Sequence, residues 1–334
     1  MTTSNQIDTH AARLLLLNAA AVATHLQPDD VLAAVREAFV LHSREQGRIF
    51  PVIREALATG GTFGIKAGDV PAENVLGFKA AGFWPGNRAL GAEPHQATIM
   101  LLDPATGRPV CIIDGNAITT ARTGAAGALG LQLLARPDSA TLCVFGTGVQ
   151  ARVQLEYALR VLPQLRQIRY VSSSRQPNAA FEAVFAGRIA IECSVDADAA
   201  VAASDVVITA TPARAPLFSA SAVQPGTHIN CVGADTRGKR ELPAGLLERA
   251  RLVVDDTTQA RQIGELQWAP ELACVTLGDV LDAKQPWQRA ATDITVLDLT
   301  GLALQDLTVA RLIHQQALAA DGGTGSGIDI SWPW

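Results

Sequence analysis

Clustered basic residues, long apolar runs and paired cysteines are all missing from this 334-residue chain. The net charge is −5 and no run of Lys or Arg occurs. That argues against a nucleic-acid partner and against a polybasic membrane contact. The apolar piece from Leu14 to Val22 is short, has only Arg13 close ahead of it and is broken by Asn18. It is too short to span a bilayer and makes a poor signal peptide. The five cysteines, Cys111, Cys143, Cys193, Cys231 and Cys274, are odd in number and far apart. They read as small buried hydrophobes in a reducing compartment, not as disulfides or a metal site. No metal-ligand spacing, no Ser-His-Asp arrangement and no internal repeat is visible. The expectation is a cytoplasmic protein without a bound metal, a membrane or a nucleic acid.

What is present is the composition of a globular protein, 48% hydrophobic and 18% charged, with length for about two domains. Its organising stretch is Ala140 to Arg152, ATLCVFGTGVQAR. An apolar run through Leu142, Val144 and Phe145 leads straight into Gly146-Thr147-Gly148-Val149-Gln150-Ala151, and an amphipathic helix pattern follows from Val153. Strand, glycine turn and helix in that order form the context of a dinucleotide-binding fingerprint. Gly146 allows the tight turn, Gly148 lets backbone approach a pyrophosphate, and Ala151 keeps helix and strand close. Free N–H groups and the helix dipole at that end favour phosphate.

Ahead of this stretch the chain reads as α+β. Residues 1–10 are polar and expected to fray. Arg13 to Asn18 has the look of an edge strand, and Gln27-Pro-Asp-Asp30 is a helix start. Period-two segments follow at 62–66 and 75–84, then a hairpin pairing 97–102 with 110–113. Ile118 to Ala135 is a helix rich in Ala and Gly, suited to close packing. Beyond the fingerprint, apolar segments near 168, 189, 205, 228, 252 and 294 alternate with helix-like pieces. That is the pattern of parallel strands covered on both faces. The fold class expected is α/β: a Rossmann-type doubly wound parallel sheet over 118–303, plus an α+β substrate and dimerisation domain made of 1–117 and 304–334. The last helix, 304–319, is expected to pack back on that first domain.

The second Rossmann strand ends Val171-Ser172-Ser173-Ser174-Arg175, with no acid in reach. NAD enzymes usually place an acid there for the ribose hydroxyls, whereas serines and a forked guanidinium suit a 2′-phosphate. NADP(H) is therefore the favoured cofactor, with NAD(H) as the alternative. Charges in apolar or glycine-rich surroundings mark a second set of candidates. Arg54 lies in IFPVIREA, Lys66 in GIKAG, Lys79 in GFKAAG, Arg122 in TTARTG, and Asp235 after the strand ending at Gly233.

Five ordered motifs, LGFK79 with WPGN87, ITTART123, GTGVQA151, GAD235 with REL242, and VDD256 with GE265, resemble the ornithine cyclodeaminase/mu-crystallin family. The resemblance runs from about Arg13 to Ala319. It implies a homodimer, with the first domain making the dimer contact. It also implies that Lys79, Arg54 and Arg122 hold the α-carboxylate of an imino or amino acid, and that Asp235 meets the substrate nitrogen. The run AAGFWPGN87, with FPVIRE55, FGIK66, His95-Gln96, DTRGK239 and GLALQD306, is most similar to the iminosuccinate reductase branch of the family. On that resemblance the activity is NAD(P)H-dependent imine reduction, favoured pair iminosuccinate and L-aspartate. Ornithine cyclodeaminase-type lyase activity, reduction of a cyclic imine such as pyrroline-2-carboxylate, or non-catalytic NADPH binding are the rivals.

The chemistry fits the residue types. Two arginines fix a carboxylate beside an electrophilic C=N carbon, and Asp235 steadies the iminium. Lys79 serves as general acid or third anchor, since like-charge repulsion from the arginines would ease loss of its proton. Lys66 is the candidate for a second carboxylate and His95 the reserve. Candidate cofactor contacts are Thr123, Gly146, Thr147, Gly148, Val149, Gln150, Ser173, Ser174, Arg175, Thr211, Gly233, Asp235 and Gly301.

Overall fold

The computed structural model describes residues 13–320 and 327–332; the expected frayed stretch 1–10 lies outside them. The chain opens with β1 (Arg13–Leu17), α1 (Ala19–His25) and α2 (Pro28–Ser43). Then come β2 (Arg48–Ile49), β3 (Ile53–Ala56), β4 (Thr62–Val70), β5 (Val75–Phe83), β6 (His95–Leu102) and β7 (Pro109–Asp114). The long helix α3 (Gly115–Leu134) leads to β8 (Thr141–Phe145), α4 (Val149–Val161) and β9 (Gln167–Val171). Next are α5 (Ala179–Phe185), β10 (Ala190–Cys193), α6 (Ala197–Ala202), β11 (Val206–Thr209) and β12 (His228–Cys231). The chain continues through β13 (Arg251–Val254), α7 (Thr257–Ile263), β14 (Val275–Thr276), α8 (Leu277–Leu281) and β15 (Thr295–Asp298). It closes with α9 (Ala303–Ala320) and β16 (Ile328–Ser331).

Two compact units divide this chain. One holds the described residues up to 34, residues 44–119 and the described residues from 303; the other holds 35–43 and 120–302. Residues 35–43 join the second unit because the end of α2 is bonded there. His42 Nε2 meets Asp256 Oδ2 at 3.0 Å and Ser43 Oγ donates to Asp279 at 2.6 Å.

In the first unit a mixed sheet runs β16-β1-β7-β6-β5-β4-β2, with β3 also on β4. β4 and β5 pair antiparallel over nine residues each, and β5, β6 and β7 continue as a meander. The expected hairpin is the β6–β7 pair. β1 is not an edge strand, contrary to the sequence reading. Ile328–Ser331 pairs antiparallel along its outer side while β7 pairs parallel along the other. The β16 segment is short and polar at alternate positions, too weak a pattern to register in the sequence. α9 lies across β4, β5 and β6. Its Leu304 and Leu307 occupy the room left by Gly68 and Gly77.

In the second unit all neighbouring strands are parallel, in the order β10-β9-β8-β11-β12-β15-β13-β14. The first six follow the doubly wound order, with the switch point between β8 and β11. The central strands β8, β11, β12 and β15 are buried almost throughout because helices cover both faces, whereas the outer strands β10 and β14 are partly exposed. α3 packs by its small residues. A Cβ at Gly127 would overlap the Gln154 side chain, whose Nε2 donates to Thr123 O at 2.8 Å. A buried polar chain ties α3 to the sheet. Thr295 Oγ1 donates to Leu134 O at 3.1 Å, His228 lies 2.9 Å from Thr295 and 2.8 Å from Asn230, and Asn230 donates to Gly127 O at 3.0 Å. Burial drives the His228 pKa down to about 3, so the ring is neutral there.

All five cysteines are free thiols, three of them buried. Among the described residues no helix is long and apolar enough to cross a membrane, and no cluster of His, Cys, Asp or Glu could hold a metal.

The close packing of α3 gives a direct test. Gly127→Ala should lower unfolding stability by about 1–3 kcal/mol, the usual cost of overpacking. Chemical denaturation would measure it, and an unchanged midpoint would show that the helix can shift freely.

Candidate functional site

The antiparallel register of the first unit sets its charged side chains on one face. Lys66 on β4 stands directly opposite Lys79 on β5, and Arg54 on β3 opposite Gly64, two residues before Lys66. On the other side Ile99 opposes Lys79 and His95 opposes Phe83, four residues beyond Lys79 on β5. Side chains alternate with period two and paired residues share a face. Arg54, Lys66, Lys79 and His95 therefore project from the same face of the sheet. Lys66 is 8% exposed and Lys79 4%.

Two acids follow Lys66 closely in the sequence, and each has a basic partner of its own. Asp69 is held by Arg48, with Nε donating at 2.8 Å, and Glu73 by Arg311. Lys79 Nζ lies 2.7 Å from Asp306 Oδ2, both groups buried, and donates to Thr119 Oγ1 at 3.3 Å. The sequence reading weighed only the repulsion of two arginines on Lys79 and named no acid beside it; the Asp306 carboxylate of α9 is such an acid. His95 Nδ1 is 3.1 Å from Asn116 Oδ1 at the start of α3. Asp306 was legible as a charge inside LALQDLTVA, but its role depends on where α9 packs.

In the second unit the parallel strands bring the other candidates to one carboxyl edge. Gly146 has φ +101°, a backbone conformation reserved for glycine, and a Cβ there would stand 2.8 Å from Ala210 O. Gly148 caps α4 and has no atom within 4 Å of the place a Cβ would take. The turn thus leaves open space beside bare N–H groups, the geometry a pyrophosphate requires. Val149 and Gln150 open the helix, Ala151 is fully buried, and Thr147 Oγ1 takes a 3.3 Å bond from Asn178 Nδ2. After β9, Arg175 N–H closes a turn onto Ser172 O at 3.1 Å, with Ser173 and Ser174 exposed between them. Arg175 lines an open cleft of about 630 Å³ with Asp198 and Phe218, and donates to Val195 O at 3.3 Å. These residues fit a dinucleotide.

Thr211 and Gly233, at the ends of the β11 and β12 segments, are joined by a carboxylate that the sequence reading assigned no role. Glu241 is fully buried and accepts from Thr209 Oγ1 (2.8 Å), Thr211 N and Oγ1 (both 2.7 Å) and Gly233 N (2.9 Å). Its own N–H donates to Glu265 Oε1 at 2.6 Å, and Leu242 N–H to Glu265 Oε2 at 3.3 Å. Asp298 accepts the Leu266 N–H at 3.0 Å, and Asp255 accepts the Gly301 N–H and the Thr300 hydroxyl. Burial raises the pKa values of Glu241, Glu265 and Asp298, Glu265 to about 7. The Arg122 guanidinium lies beside Gly301. Asp235 is half-buried and bound by Lys239 Nζ at 2.6 Å, with Thr236 Oγ1 at 3.1 Å. The ion pair with Lys239, four residues on, is a partner that the sequence reading did not assign.

These features define a dinucleotide-binding Rossmann unit in a chain whose other unit carries a face of buried cations. The family model of the ornithine cyclodeaminase/mu-crystallin family matches residues 13–321, and the chain belongs to that family. It is similar to an archaeal alanine dehydrogenase, solved as a dimer with bound NAD, at 31% identity and TM-score 0.87, covering 95% of this chain and 99% of that one. It is also similar to the iminosuccinate reductase of Paracoccus denitrificans, solved with NAD+, at 30% identity and TM-score 0.86, covering 96% and 100%. The ketimine reductase mu-crystallin of Mus musculus is 31% identical over 304 residues, 89% of this chain and 96% of its own. The family, and the α/β architecture read from the motifs, are thus established.

Glu265 generates a pH prediction. Its folded pKa of about 7 lies above the unfolded carboxyl value of 4.5, so the folded state holds a proton that the unfolded state has lost between them. Stability from this group is therefore full below pH 4.5 and is lost as pH rises through 7. Glu265→Gln should flatten the fall in stability across that window, by at most about 1.4 kcal/mol per pH unit. Urea titrations at a series of pH values would show it; a wild-type-to-variant difference constant with pH would exclude the protonated Glu265.

Proposed function

We propose that the protein is an NAD(P)H-dependent imino-acid reductase, acting in reverse as an L-amino-acid dehydrogenase, with iminosuccinate and L-aspartate as its pair. The observation that carries this reading is the direct opposition of Lys66 and Lys79 on one sheet face with Arg54. Anionic groups on a small substrate are what such a face would receive, and a dicarboxylate uses more of it than a monocarboxylate. The similarity to a ketimine reductase and an iminosuccinate reductase supports the same chemistry.

In this reading Arg54, Arg122 and Lys79 hold the α-carboxylate and Lys66 the second carboxylate, with His95 as an additional donor. Holding both ends leaves the imine carbon little freedom, and that restriction lowers the barrier. Asp235 stabilises the protonated imine and the amine formed from it. The nicotinamide, when bound, supplies the hydride. Gly146, Thr147, Gly148, Val149 and Gln150 would hold the pyrophosphate, and Thr123, Thr211, Gly233 and Gly301 would line the rest of the edge. Ser173, Ser174 and Arg175 would take the adenosine end, with a 2′-phosphate, and hence NADP(H), preferred. The domain of residues 1–117 and 304–334 would carry substrate binding and the dimer contact of a homodimer, and 118–303 the cofactor. The archaeal relative's dimer supports the homodimer.

Two substitutions test the reading. Lys66→Met should cut kcat/KM for iminosuccinate at least tenfold, about 1.4 kcal/mol, while sparing the imine of pyruvate. Parallel losses on both imines would remove Lys66 from substrate recognition. Arg175→Ala should weaken NADPH by roughly 1.5–3 kcal/mol, the worth of a charge-assisted hydrogen bond, with little effect on NADH. Fluorescence titration with both cofactors measures this, and equal effects would sink the 2′-phosphate assignment.

A further inference from the structure

The buried carboxylate of Glu241 has no part in the chemistry just described, yet it takes four hydrogen bonds from the two strand ends beside the switch point. Each oxygen receives one hydroxyl and one main-chain N–H. Oε1 takes Thr211 Oγ1 and Thr211 N, both at 2.7 Å. Oε2 takes Thr209 Oγ1 at 2.8 Å and Gly233 N at 2.9 Å. Gly233 has no room for a side chain here, since a Cβ would stand 2.5 Å from both Glu241 oxygens.

In a doubly wound fold the two halves of a dinucleotide lie on either side of the fingerprint strand. The adenosine half goes toward β9 and β10, which leaves the β11 and β12 ends for the nicotinamide half. Thr211 follows β11 and Gly233 follows β12, and Asp235 lies two residues beyond Gly233. From there Thr236, Lys239 and Arg240 return the chain to Glu241 itself. Arg240 N–H donates to Ala213 O at 3.1 Å, and the Trp268 indole N–H donates to Lys239 O at 2.9 Å.

We infer that Glu241 is a positioning residue for the nicotinamide half of the cofactor: its carboxylate clamps the β11 and β12 ends together and so sets the place of the ring and the aim of Asp235. This rests on the nicotinamide-dependent reading above. The clamp requires an acceptor oxygen at each strand end, and Glu241 supplies Oε1 to the Thr211 N–H and Oε2 to the Gly233 N–H. A Gln amide presents one oxygen and one NH2 group, and either orientation turns the NH2 toward a main-chain N–H. One strand end is then released, either at Thr211 or at Gly233. Glu265 supports the clamp from behind by holding the Glu241 and Leu242 N–H groups.

The experiment compares two probes on wild type and Glu241→Gln: NADPH, and 2′-phospho-ADP-ribose, which lacks the nicotinamide. Affinities are measured by calorimetry on protein whose fold is checked by near-UV circular dichroism. The expected result is a loss of tenfold or more for NADPH with the ribose probe within twofold of wild type. Equal losses for both probes, or no loss for either in a folded variant, would overturn the assignment. Thr209→Val provides a second route if the Gln variant does not fold, because this buried hydroxyl donates to Glu241 and leaves Thr211, Gly233 and Asp235 unaltered. It should give a smaller loss with the same selectivity, and a non-selective loss there counts against the clamp. Wild-type protein that binds neither NADPH nor NADH overturns the cofactor reading itself, and the assignment with it. The binding test needs no substrate, so an error over the imine would leave its outcome unchanged.

Discussion

Two ammonium groups at directly opposed positions of neighbouring strands are the constraint on which the first unit depends. Lys66 and Lys79 are both buried, where water screens their repulsion poorly. Such a pair persists only where anions sit close by, and the fold provides one in Asp306 on Lys79. That carboxylate explains why a helix from the far end of the sequence belongs with a sheet from the beginning. Leu304 and Leu307 seat α9 on the glycines of β4 and β5, and the seating delivers Asp306 to the lysine.

The second unit solves the inverse problem. Four carboxyl groups, Glu241, Glu265, Asp298 and Asp255, are buried along the carboxyl side of the parallel sheet. They are stabilised mainly by N–H and hydroxyl donors, which burial strengthens as it also raises the cost of ionisation. The carboxyl edge of that sheet is consequently knit together by hydrogen bonds of fixed direction. Asp235 differs, since Lys239 offers it a half-exposed cation.

Much of this was legible in the sequence, and the limits have physical causes. The doubly wound unit could be read because Gly146, Gly148 and Ala151 each answer a local steric need beside an apolar run. The shared face of Lys66 and Lys79 was inferable from period-two segments, though the register needed the pairing of β4 with β5. Roles that depend on long-range packing were not readable. Asp306 reaches Lys79 across more than 200 residues of sequence, and Glu241 meets Thr211 and Gly233 only once the loop after β12 has turned back. The strand β3 and the edge partner β16 are short, with no run strong enough to announce them. Asp235 was visible as a strand-end acid, yet its ion pair with Lys239 depends on the turn through Gly238.

The β16 segment has a protective consequence. The strand Arg13-Leu-Leu-Leu-Leu17 is the kind of short apolar strand that recruits a foreign strand when its edge is bare. Ile328–Ser331 occupies that edge and substitutes its own, which is only four residues long, carries Asp329 and is pinned through Arg13. The sheet thereby ends on a brief charged border that discourages cross-chain β-pairing, and loss of this strand would leave a leucine-rich edge open to aggregation.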